Sequence, residues 1–274
     1  MPVAPPSEPS VVVGAPASAS LDVTPTESTK PLPVGPERES LVRETRWVMV
    51  AFLVPVVVSA VVVFSEHASG VADIARFPTY VAGHPLTNML LGILAYLPVA
   101  AVVPLGLYLL ARTGQDRHEL GLEPPSFTRD VIPGVGLGLA AFGVELILIL
   151  IVHGLLINDP SLFVSPSIQH IPKYYIIWGL VISAVTAVTE EVLVNGYLIT
   201  RLAQLGWTPR ASLILSLILR TSYHVYYGIG FIFTIPFGFF VTRSFQKHGK
   251  LMRPIVTHFL YDAVLITISI LTLK

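Results

Sequence analysis

Ionisable side chains in three stretches of this 274-residue chain recur at spacings that could do chemistry. The first reads Thr186-Ala187-Val188-Thr189-Glu190-Glu191-Val192-Leu193-Val194-Asn195-Gly196. Ser183, Thr186 and Glu190 recur at i, i+3 and i+7, which places them on one face of a helix. Glu191 lies about 100° around and shares its face with Asn195. The second stretch is Arg220-Thr221-Ser222-Tyr223-His224, where Ser216, Arg220 and His224 are spaced by four. The third is His258-Phe259-Leu260-Tyr261-Asp262, again with an i, i+4 pair. Two adjacent carboxylates in an apolar helix each require a cation, a donor or a proton. A carboxylate one turn from a histidine fixes its tautomer or shares a ligand with it.

Carboxylates and imidazoles without any cysteine suit activation of water for hydrolysis. The absence of Cys excludes disulfides, thiolate metal sites and thiol catalysis. The same groups could hold a divalent metal such as zinc, with Glu190, His224 and His258 as ligands. No His-Glu-x-x-His signature supports the common soluble zinc-protease pattern. A lone histidine in a span is more often a packed, hydrogen-bonded residue than a ligand. Glu145, with no partner visible in the sequence, is read as structural in the same way. Structure alone seldom puts two Glu, two His, one Asp and one Arg on three neighbouring helices, because each is costly in hydrocarbon.

The elements that position these groups are membrane spans. The chain is 53% hydrophobic and 12% charged, against roughly 25% charge in a soluble domain, and its mean hydropathy is +0.72. The zero net charge points to no nucleic-acid partner. A span needs about 20 mostly apolar residues. Such stretches lie near 47–64, 88–110, 131–152, 174–200, 210–227, 229–242 and 252–272. Seven spans are expected, with an eighth if 65–87 hides another helix. The fold class is therefore an all-α polytopic transmembrane bundle. Residues 1–46 form a Pro/Ser-rich tail expected to be disordered and cytoplasmic, since it has no apolar face to bury. The membrane domain covers 47–273. Placing the tail inside puts 13 Lys and Arg in inner segments and 3 in outer ones, with Arg220 alone inside a span. This asymmetry predicts a cell-membrane protein with a cytoplasmic N-terminus and, for seven spans, an outside C-terminus.

The three stretches together resemble the CPBP family, the CAAX protease and bacteriocin-processing (Abi) intramembrane proteases. Glu190-Glu191-x-x-x-Asn195, Arg220-x-x-x-His224 and His258-x-x-x-Asp262 follow the order and spacing of that family's Glu-Glu-x-x-x-Arg, Phe-x-x-x-His and His-x-x-x-Asn/Asp motifs. The resemblance covers roughly 174–272, the expected protease core. It implies an endopeptidase acting on a membrane-associated peptide or protein. Glu190 and His224 would activate water, and His258 and Asp262 would bind the oxyanion or position the water. It covers both a metal-free and a metal-assisted chemistry.

Two positions depart from the family: Asn195 stands in place of Arg, and Arg220 in place of Phe. Glu191, Asn195 and Arg220 are therefore supporting residues, with Arg220 expected to reach Glu191 from the next helix in a bidentate grip. The four catalytic candidates are expected to meet in one water-reachable cavity. Two rival readings share the same residues. One is a non-catalytic immunity or scaffold protein of the same fold. The other is a proton-coupled transporter, for which no paired broken helices are visible.

Overall fold

The computed structural model describes residues 32–68, 84–155, 173 and 175–272. These residues form a helical bundle with no strand among them. Helix α1 (Gly35–Ala68) is followed by α2 (Pro85–Ala100) and α3 (Val102–Ala111). A widened turn, Phe127–Val131, leads into α4 (Ile132–Leu155). Helix α5 (Tyr175–Glu190) runs without interruption into a π-helical segment, Glu191–Ile199, and then α6 (Thr200–Gln204). Helix α7 (Pro209–Ser222), two 3₁₀ turns (Val225–Tyr227 and Ile229–Phe233), α8 (Thr234–His248) and α9 (Met252–Thr272) complete the order.

Among the described residues, six helical stretches are long and apolar enough to span a membrane: Gly35–Val62, Met89–Ala111, Phe127–Val152, Tyr175–Gln204, Ile229–His248 and Met252–Leu271. The protein is a multi-pass membrane protein. Six of the seven expected spans fall on these stretches. The exception is 210–227. Its helix, α7, has only 14 residues, about 21 Å at 1.5 Å per residue, short of the roughly 30 Å hydrocarbon core. It ends at Ser222, where Tyr223 and His224 leave the helical conformation and Gly228 then turns the chain at φ 61°. An eighth helix in 65–87 cannot be placed, because 69–83 lie outside the described residues.

Residues 35–46, expected within the tail, are helical and belong to α1. The Glu44 carboxylate accepts from the Arg201 guanidinium at 2.8 Å and from the Tyr197 hydroxyl at 3.0 Å, which ties this part of α1 to the bundle. Residues 1–31 of the tail lie outside the described residues. The expected single span 88–110 is broken at Ala101 into α2 and α3, between Pro98 and Pro104. Neither proline has an N–H to continue the ladder.

The π segment is the axis of the bundle. All nine of its residues are buried, and α1, α3, α7 and α8 pack around it. Helix α5 lies along α9, and α4 lies on α8 and α9. Helices α7 and α8 form an antiparallel hairpin. At one end, the Gln246 side-chain amide donates to the Pro209 carbonyl at 2.7 Å; midway, Ser216 and Thr242 share a hydrogen bond of 3.1 Å. Gly249 closes α8 in the left-handed conformation (φ 64°), which costs glycine nothing. Beyond it, Leu251 N–H donates to the Leu120 carbonyl at 2.8 Å, and Lys250 Nζ reaches the carbonyls of His118 and Glu119. Arg253 donates to the Arg129 carbonyl at 3.0 Å. The loops carrying Arg117, Arg129, Lys247, Lys250 and Arg253 are thus gathered at one end of the bundle.

Candidate active site

Glu190 is the last residue of α5, and Glu191 opens the π segment. The wider π turn sits where the two carboxylates must diverge; such insertions are frequent at functional sites. Glu191 is fully buried, and both its oxygens are occupied. Oε2 accepts from the Asn195 amide at 2.5 Å and from Arg220 Nη2 at 2.9 Å. Oε1 lies 2.8 Å from His258 Nδ1. Glu190 keeps 12% of its side chain exposed. It accepts from Arg220 Nη1 at 3.3 Å and from the Tyr223 hydroxyl at 2.7 Å, both on Oε2.

The Arg220 fork therefore spans both carboxylates, one arm to each. This differs from the expected bidentate grip on Glu191 alone. A planar fork with two arms serves adjacent carboxylates better than a point charge would. Arg220 is buried because Gly238 of α8 passes close to it. A Cβ on Gly238 would stand 3.1 Å from Arg220 Cδ and 2.9 Å from Leu217 Cδ2.

His224 follows the end of α7. Tyr223 and His224 both lie in the sparsely populated bridge region (φ −92°, ψ 4° and φ −106°, ψ 10°), where many active-site residues sit. His224 Nδ1 is 2.7 Å from the Arg220 carbonyl. A carbonyl only accepts, so Nδ1 carries the proton and Nε2 of the neutral ring is the acceptor. The ring stacks on Tyr227 at 6.0 Å between centroids and lies against Tyr223 at 4.8 Å. His224 is within electrostatic range of Glu190, Asp262 and His258.

On α9, His258 is held between two carboxylates. Nδ1 faces Glu191, and Nε2 lies 3.4 Å from Asp262 Oδ2. Phe237 of α8 packs edge-on against the His258 ring at 4.9 Å, and also against Tyr261. Glu145, which showed no partner in the sequence, accepts a hydrogen bond from the Tyr261 hydroxyl and so links α4 to α9. The structure thus gathers Glu190, Glu191, Asn195, Arg220, His224, His258 and Asp262 into one connected group.

Three contributors were missed in the sequence. Tyr223 sits beside His224 with no periodic signal of its own. Tyr96 of α2 lies near Thr186 of α5 and within electrostatic range of Glu190 and Asp262, although α2 reads as a generic span. Arg201, assigned to an inner loop by its charge, is fully buried. It donates to Thr113, Gln204, Glu44 and the Leu109 carbonyl. The one available signal was its place four residues after Tyr197, over whose ring it lies at 5.2 Å.

Residues 172–264 match the family model described as Type II CAAX prenyl endopeptidase Rce1-like. The match runs from just before α5 through most of α9 and contains all three motifs, so the resemblance to the CPBP family is shown on that segment. It supports an intramembrane protease-type function. No curated protein and no solved structure matches the chain.

Zinc requires three or more donors converging at about 2 Å. Among the described residues, no three His, Asp or Glu side chains are grouped to hold a metal. Both His258 nitrogens face carboxylates, whereas the Nδ1 bond of His224 to a carbonyl leaves its Nε2 open.

Proposed function

We propose that this protein is an intramembrane endopeptidase that hydrolyses a peptide bond of a membrane-associated peptide or protein. The observation that carries the proposal is the linking of three helices through Arg220, whose side chain donates to Glu190 and Glu191 and whose carbonyl accepts from His224, with Glu191 joined in turn to the His258–Asp262 pair of α9. Glu190 is the member of the Glu pair that retains exposure. Glu191, saturated by three donors, is a holding group.

In the reaction, water lies between Glu190 and His224. Glu190 takes one water proton, and His224 Nε2 accepts a hydrogen bond from the same molecule and orients it. The oxygen attacks the scissile carbonyl on the side of the His258–Asp262 pair, and His258 Nε2 exchanges its 3.4 Å contact with Asp262 for the developing oxyanion. Glu190 then returns the proton to the leaving amine as the C–N bond breaks. No step is routed through a metal.

The position of the site narrows the substrate class. His224 lies just past a helix of about 21 Å that starts at the basic end of the bundle. The scissile bond must therefore reach well into the hydrocarbon layer. An extended segment near a chain terminus, or an unwound span, meets that requirement. Prenylated substrates are not part of the proposal. The N-terminus is cytoplasmic and the C-terminus outside. The α7–α8 hairpin starts and finishes at the same end, so the shortness of α7 leaves this parity unchanged.

The test uses the full chain in liposomes with fluorogenic and membrane-anchored peptides. Cleavage by the wild type and a loss of about 10²- to 10⁴-fold in Glu190→Gln, with activity unchanged by a chelator, is the expected result. Intact biological function in Glu190→Gln would favour a non-catalytic protein of the same fold.

A further inference from the structure

We infer that Tyr223 is the positioning residue of Glu190, deciding which of its two oxygens is available to act as base; the inference rests on the protease reading above. Both hydrogen bonds that the structure gives Glu190 end on the same oxygen, Oε2: Tyr223 Oη at 2.7 Å and Arg220 Nη1 at 3.3 Å. The shorter comes from the tyrosine. With Oε2 occupied from two sides, the carboxylate plane is fixed and Oε1 is the oxygen turned to the exposed part of the group. Glu191 shows the contrast. It accepts on both oxygens and has none to offer.

Arg220 cannot do this alone. Its two arms are divided between two carboxylates, and it binds Glu191 more closely. A guanidinium shared in this way fixes charge but leaves Glu190 free to rotate about its last torsion, which is broad for a carboxylate. The Tyr223 hydroxyl supplies the second point. Tyr223 is itself held firmly: 2% exposed, at the C-terminal cap of α7, with its ring edge-on to Phe52 of α1 at 6.1 Å. It immediately precedes His224. One residue thus sets the base through its side chain and leads the chain into the histidine. It also gives α1, which carries none of the motifs, a direct part in the site.

Tyr223→Phe tests the idea, because the ring and its contact with Phe52 remain while only the hydroxyl leaves. In liposomes with a fluorogenic peptide, kcat should fall about 10- to 100-fold, the range for losing a hydrogen bond to a charged group, with KM within twofold. Glu190→Asp withdraws the carboxylate from the hydroxyl, so adding Tyr223→Phe to it should change kcat little further. A rise in KM at constant kcat, a kcat within twofold of wild type, or effects that multiply in the double variant would overturn the inference. It would do so while leaving the protease reading intact. Infrared difference spectra decide it independently of turnover. Tyr223→Phe should alter a carboxylate band in the wild-type background and not in the Glu190→Gln background. An equal change in both, or none, would overturn it. A wild type that cleaves no peptide would instead remove the protease reading.

Discussion

Arg220 Nη2 lies 2.9 Å from Glu191 Oε2, with the guanidinium 3% exposed and the carboxylate not at all. This ion pair joins α7 to the π segment, and Glu190 rides on the same guanidinium through its other arm. The pair therefore bears on stability and on the site together.

Removing one partner leaves a charge in a low-dielectric interior, at a cost of about 3–5 kcal/mol. Arg220→Leu should thus unfold at much lower denaturant than wild type and lose activity. Replacing both partners, Glu191→Gln with Arg220→Gln, should recover part of the stability but not the activity, because Glu190 then loses its arm as well. A double-mutant cycle on reconstituted protein measures this, and zero coupling would contradict it.

Gly238 sets how closely α8 passes Arg220. The Cβ of Gly238→Ala would press on Leu217 Cδ2 at 2.9 Å and Arg220 Cδ at 3.1 Å. Overpacking of this kind costs about 1–3 kcal/mol. The melting temperature should fall and kcat should fall with it, since the guanidinium must shift. A melting temperature equal to wild type would show that the hairpin opens at no cost.

The Glu44–Arg201 pair gives the N-terminal region a defined boundary. Deleting residues 1–31 should leave folding and peptide cleavage unchanged. Deleting through residue 46 removes the carboxylate that faces the fully buried Arg201 and should abolish insertion. Glu44→Ala, at roughly 1–3 kcal/mol, should fall between the two in thermal denaturation. A loss of activity on removing 1–31 would assign the tail a role in the enzyme.

Orientation is testable by reporter fusion. An extracytoplasmic reporter fused after Lys274 should be active, and one placed at Gly249, beside Lys247 and Lys250, should be silent. The reverse pattern would invert the topology.

The sequence by itself determined the helical membrane class, the three polar stretches and their spacing. Transfer energies and the 3.6-residue period act locally, so a run of Val and Leu or a Glu-Glu pair is legible without knowledge of its neighbours. It also identified Arg220 as the cation nearest to the pair, because a lone charge in hydrocarbon needs a partner. The tertiary structure decided how that cation is shared. The two-armed hold on Glu190 and Glu191 depends on the π turn and on the approach allowed by Gly238, and neither leaves a periodic trace. Tyr223, Tyr96 and Arg201 were hidden for the same reason. A tyrosine or arginine near a span end has no intrinsic role until another helix places a carboxylate or a threonine against it. The shortness of α7 was likewise decided in three dimensions, where Tyr223 and His224 leave the helical conformation beside Glu190 before the apolar pattern ends.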